Sequence, residues 1–110
     1  MISLLIMSFI ELNISKIVEL CQKYKVKTLA VFGSILTDRF NENSDVDFLV
    51  NFENFDPDSM EFDYVRNYWD LQDSLEQLFG RNVDLVEEKG LRNKYFIENI
   101  NRTKQILYAK

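Results

Sequence analysis

The sequence predicts an α/β or α+β domain with a small central sheet and helices packed against it. Three observations carry this reading. Two long stretches repeat apolar residues at helical spacing. Short runs such as "LAVF" and "FLV" are apolar on successive residues, as in strands covered on both faces. The two patterns alternate along the chain in the order α-β-α-β-α-β-α, which favours a layered arrangement.

The first helix is expected over about residues 8–24, where apolar side chains fall at 9, 10, 14, 17, 18, 20, 21 and 24. The preceding "MISLLIMSFI" is too short to span a bilayer and has no basic leader, so it reads as an extra helical turn or a strand. Residues 1–7 are treated as an N-terminal extension of one domain spanning 1–110, with Met1 or Met7 as the start. "VKTLAVFG" predicts a strand over about 27–32, and "SILTDRF" a short helix or turn after it. "DVDFLVNFE" predicts a second strand over about 45–53. A long helix follows Pro57, with Asp58 as N-cap and Glu61 completing a capping box. Its buried stripe is expected to be Val65, Tyr68, Trp69, Leu75, Leu78 and Phe79, with Tyr64 exposed and Gly80 at C′. "NVDLVE" predicts a third strand over about 82–87, and "LRNKYFIENINRTKQILYA" a last helix whose "QILYA" end could be extended.

At 110 residues with nine Phe, five Tyr and one Trp, the chain can bury a core. The net charge of −5 disfavours direct nucleic-acid binding, because the Lys and Arg residues are scattered. No histidine is present, which removes the commonest general base and zinc ligand. The single cysteine, Cys21, sits at an apolar-periodic position and reads as a core residue. Absence of an internal disulfide fits a reducing, cytoplasmic location.

The chemistry lies in "VFGSILTDRFNENSDVDFLV". Asp45 and Asp47 are two apart at the mouth of a strand, so they share a face. Read alone, this pair also fits a turn residue followed by a solvated edge position. A third acid, Asp84, interrupts the apolar "VDLV", where an unpaired carboxylate in a buried strand is costly. If the two strands adjoin, three carboxylates converge, and a hard divalent cation, Mg²⁺ or Mn²⁺, would relieve their repulsion. Gly33 and Ser34 close the preceding strand, where backbone N–H groups and a hydroxyl can cradle a phosphate. A metal-bound triphosphate meets both halves. Asp84 could instead be a structural acid paired with Arg81 or Arg92. The EF-hand and P-loop patterns are absent.

These residues resemble a known signature. "FGSILTDRFNENSDVDFLVNFE" is similar to the G-S-x10-D-x-D motif of the minimal nucleotidyltransferases, within the DNA polymerase beta-like nucleotidyltransferase superfamily. "GRNVDLVEEKGLRNKYFIENINRTKQILYA" also resembles that family, where a third acid lies in a V-D-L-V strand. The resemblance covers roughly residues 27–109. It implies a small mixed sheet flanked by helices, Mg²⁺ held by Asp45 and Asp47 with Asp84 as third acid, and ATP bound at Gly33 and Ser34. Relatives often carry arginine three residues after the motif serine. Here that position is Thr37, and Arg39 is the candidate replacement for gripping the triphosphate. Stand-alone members of this length are similar to antitoxins of HEPN/MNT toxin–antitoxin pairs. That likeness implies AMP transfer from ATP to a tyrosine hydroxyl of a HEPN-type ribonuclease toxin. The alternative is a non-catalytic binding module that neutralises its partner by contact alone.

Overall fold

A computed structural model describes residues 4–37, 39–53 and 62–110. Its centre is a four-stranded mixed sheet in the order β3-β2-β1-β4. The strands are β1 (Val26–Phe32), β2 (Val46–Phe52), β3 (Val83–Glu87) and β4 (Gln105–Ala109). β1 is antiparallel to both β2 and β4, whereas β2 and β3 run parallel. The expected small sheet with flanking helices is therefore present, and "QILYA" is its fourth strand.

One sheet face is covered by α1 (Leu4–Leu12), α2 (Ile14–Lys23) and α3 (Phe62–Phe79). Here Leu29 and Val31 of β1, Phe48 and Val50 of β2, and Leu85 of β3 join Ile17, Cys21, Leu71 and Leu75 in the main core. The opposite face is smaller. Ala30, Phe32 and Leu49 pack against Ile100 of α4 (Lys94–Thr103), with Val86 and Leu91 at the margin. The alternation of side chains along β1 and β2 thus feeds two cores of unequal size.

The single helix expected over 8–24 is two. The break falls at Asn13, whose side-chain amide donates to the Phe9 carbonyl at 2.9 Å and so ends α1. Asparagine competes with the helix for such carbonyls. The apolar opening supplies most of α1, with residues 1–3 outside the described residues. The capping box at Asp58 and Glu61 also lies outside them. At the other end of α3, Gly80 has φ of +66° and its N–H returns to the Glu76 carbonyl, as expected for C′. Of the expected α3 stripe, Tyr68, Leu75, Leu78 and Phe79 belong to the core or pack against it. Leu71 and Leu75 are fully buried, while Val65 and Trp69 are exposed. Tyr64 is half-buried, its ring 5.3 Å from Phe52. Tyr68 and Trp69 are neighbours in sequence, so one helix face cannot bury both, and Tyr68 takes the inner place.

Among the described residues, no helix is long and apolar enough to cross a membrane. Cys21 is wholly buried, and burial pushes its thiol up to about 12. Only the thiolate reacts readily. Native protein at pH 8 is therefore expected to resist a colourimetric thiol reagent over hours, and to react stoichiometrically once unfolded in guanidinium. Fast labelling of the native protein would place Cys21 at the surface.

Candidate active site

The parallel pairing of β2 and β3 sets the site. Val46, Asp47 and Phe48 stand opposite Val83, Asp84 and Leu85. Paired positions of adjacent strands lie about 4.8 Å apart and point to the same face. Asp47 and Asp84 are thus side by side on the face opposite the main core. Both line an open cleft of about 580 Å³. Its remaining walls are Phe32, Gly33, Leu36 and Thr37 from the end of β1 and the turn after it, Val86 of β3, and Phe96, Asn99, Ile100 and Thr103 of α4. These α4 residues lie outside the site motifs of the sequence. A helix of ordinary amphipathic pattern carries no signal of what its margin faces, although the N-cap Asn93, bonded to the Phe96 N–H, fixes where that wall begins.

Gly33 has φ of +80°, a region that favours glycine. A methyl in place of its hydrogen would lie 2.3 Å from Asp47 Oδ2. The left-handed backbone favours glycine here, and any side chain would have to push the Asp47 carboxylate aside. The turn itself is a short 3-10 segment, Gly33–Leu36. Thr37 locks it: its N–H and its hydroxyl both donate to the Ser34 carbonyl, at 2.9 and 2.8 Å, and its Oγ1 accepts from the Arg39 N–H. The residue that stands where relatives often have arginine is thus used to close the turn. Arg39 is exposed and lies outside the cleft lining, as do Ser34 and Asp45.

Asp45 precedes β2 at the end of a loop held from outside by Arg81. The Arg81 guanidinium donates to the Asn41 and Ser44 carbonyls at 2.8 and 3.0 Å and lies 4.6 Å from the Phe40 ring centre. Arg81 is therefore committed to this loop and not to Asp84. Among the described residues, no ion pair or hydrogen bond engages the side chains of Asp45, Asp47 or Asp84. The expectation that Asp84 is buried is corrected. β3 is an edge strand, and its 84 side is exposed while Val83 and Leu85 are buried.

The electrostatic cost falls on Asp47. Burial, then the charge of Asp84, then that of Asp45 raise its carboxyl above the ordinary 3.8. Uncompensated oxygen ligands of this kind suit a hard divalent cation. Among the described residues no group of three acidic side chains is placed to hold one, so the expected convergence of Asp45, Asp47 and Asp84 is not formed: Asp47 and Asp84 adjoin, and Asp45 stands outside the cleft lining.

Two outcomes follow. Gly33→Ala is expected to lower stability by about 1–2 kcal/mol in urea unfolding, from the left-handed backbone alone, with more from displacement of Asp47. For Asp47, a raised folded value means that the native state binds the proton more tightly than the unfolded state. Stability from this group is greatest below pH 3.8 and is lost as pH rises through the folded value. Asp47→Asn should therefore raise Tm in chelator at pH 7 and low salt, and the gain should vanish as pH falls toward about 4. An unchanged or lower Tm at pH 7 would show that the charge is not a burden.

The sequence profile of the nucleotidyltransferase domain matches residues 14–107. A Methanocaldococcus jannaschii relative, provisionally named protein adenylyltransferase MJ0128, is 40% identical over 79 residues, covering 72% of this chain and 74% of its own. Protein adenylyltransferase MntA of Thermococcus cleftensis is 36% identical over 75 residues, covering 68% and 69%. A toxin–antitoxin crystal structure with AMP-PNP superposes with a TM-score of 0.65 at 22% identity, over 89% of this chain and 74% of that one, which shows the shared fold. The domain match spans every element that builds the cleft, and the chain belongs to the nucleotidyltransferase domain family.

Proposed function

We propose that this protein is a Mg²⁺-dependent adenylyltransferase that moves AMP from ATP to a tyrosine hydroxyl of a HEPN-type toxin, acting as the antitoxin. The observation that carries this reading is the in-register pairing of Asp47 with Asp84 beside the Gly33 turn, at the floor of a cleft. The names of the relatives support adenylyl transfer to protein. The toxin–antitoxin structures of like fold support the class of acceptor.

In this mechanism the N–H groups at Gly33 and Ser34 bind oxygens of the β- and γ-phosphates. Asp45 and Asp47 would hold the cation, with Asp84, in register beside Asp47, at the reacting end. The chemistry supplied by bound Mg²⁺ is neutralisation of the triphosphate and acidification of the acceptor hydroxyl. Asp84 accepts the hydroxyl proton on a carboxylate oxygen, the one plausible base in a chain without histidine. The phenolic oxygen bonds to the α-phosphorus as the bond from that phosphorus to the bridging oxygen breaks, and pyrophosphate departs with the electron pair. The neutral walls of the cleft, Phe32, Phe96, Ile100 and Asn99, receive a ring and exclude water from the reacting atoms.

The test is incubation of the purified protein with a HEPN-type protein from the same genome, Mg²⁺ and ATP labelled at the α-phosphate, followed by intact mass. A gain of one or more adenylyl groups on tyrosine is expected. Asp47→Asn should abolish transfer, and Asp84→Asn should cut it at least about 10²-fold while leaving the metal-free protein as stable as the wild type. A partner bound tightly but unmodified would make this chain a binding module instead.

A further inference from the structure

We propose that Tyr68, Gln72 and Glu76 are positioning residues that hold Asp84 beside Asp47 by fastening the outer edge of β3. The three stand four apart on α3, one above the next on a single face. The Tyr68 hydroxyl donates to the Leu85 carbonyl. Gln72 Nε2 donates to the Val83 carbonyl at 2.9 Å, and Glu76 Oε2 accepts from the Val83 N–H at 3.0 Å. These bonds bracket Asp84 on both sides. Backbone polar groups alternate in direction along a strand, so residues 83 and 85 turn theirs outward to α3. Asn82 turns its carbonyl the other way, to the Val46 N–H of β2 at 3.1 Å.

The need for this fastening follows from the charges. β3 has five residues and lies at the sheet edge, where one side lacks a strand partner and fraying is easiest. Like charges directly opposite on adjacent strands work to part them, and here Asp47 opposes Asp84. The buried side chains of Val83 and Leu85 anchor one face of the strand, and bonds at its unpaired outer edge add resistance to its parting from β2. Three side-chain bonds from a helix packed on the main core supply that resistance. Gln72 is not explained by its own stability: its Oε1 is buried without a partner among the described residues, and such an orphan is costly. Misplacement by a fraction of an ångström at a reacting carboxylate is enough to slow catalysis.

The inference rests on the reading of Asp84 as the acid at the reacting end, and the experiment separates the two. Tyr68→Phe, Gln72→Leu and the double variant would be made in the full chain, each with Asp84 intact and as Asp84→Asn. Transfer kinetics would be read well below the melting temperature, beside amide hydrogen exchange at residues 83–86. With Asp84 present, each single change is expected to lower kcat about tenfold and the double about 10²-fold, with KM for ATP within about twofold and faster exchange in β3. In the Asp84→Asn background the same changes should lower kcat no further, because they act through Asp84. Wild-type kcat in the folded double variant would overturn the proposal, as would an equal loss in both backgrounds. Wild-type kcat for Asp84→Asn alone would overturn the underlying reading of Asp84, whatever the exchange data show of the fastening.

Discussion

The structure depends on one unfavourable juxtaposition, two carboxylates placed in register on adjacent parallel strands. Asp47 and Asp84 occupy paired positions of β2 and β3 and face one cleft. Without a cation this pairing opposes folding, and the Asp47 carboxyl is raised first by burial and then by the charges of Asp84 and Asp45. Much of the rest can be understood as support for that arrangement. The main core anchors both strands through Val46, Phe48, Val83 and Leu85, the residues flanking the two acids. Burying those flanks forces the acids onto the opposite face, since side chains alternate along a strand.

The unequal faces of the sheet divide the labour. Three helices cover one face and make it a closed core, whereas α4 covers only part of the other. The part left open is the cleft. Phe32 and Phe96 meet edge to face at 6.1 Å and join the sheet to the α4 wall, so the cleft is shaped by side chains from both layers. Gly33 lets β1 end directly against Asp47, and Thr37 closes the turn that follows. Arg81 reaches across from the start of β3 to hold the loop before Asp45. Each acid is thus placed by a different element: a neighbouring strand, a tight turn, or a loop strapped by a guanidinium.

The sequence was legible where periodicity and short-range chemistry decide. Three strands were placed within one or two residues, as were Gly80 at the end of α3 and the buried position of Cys21. It misled where one pattern serves two structures. A continuous apolar period over 8–24 concealed the break at Asn13, because two short helices packed on one core keep the same face buried. Of the α3 stripe, Tyr68, Leu75, Leu78 and Phe79 pack on the core as expected, while Val65 and Trp69, no less apolar, are exposed and Leu71 takes a buried place. Asp84 read as buried because its neighbours are; that β3 is an edge strand follows from strand order, which no local stretch encodes.

The sequence by itself determined three of the four strands and the chemical alphabet of the site: a glycine and serine ending one strand, two acids opening the next, and a third acid inside an apolar run. These are local facts, written in spacing and residue type. The tertiary structure alone decided that β2 and β3 are parallel neighbours in a register that sets Asp84 beside Asp47, that α4 completes the cleft, and that Arg81 serves the loop and not Asp84. Those outcomes depend on contacts between residues some 40 positions apart, such as Arg81 and Asn41. Their energies come from packing and hydrogen bonding that exist only once the layers have met.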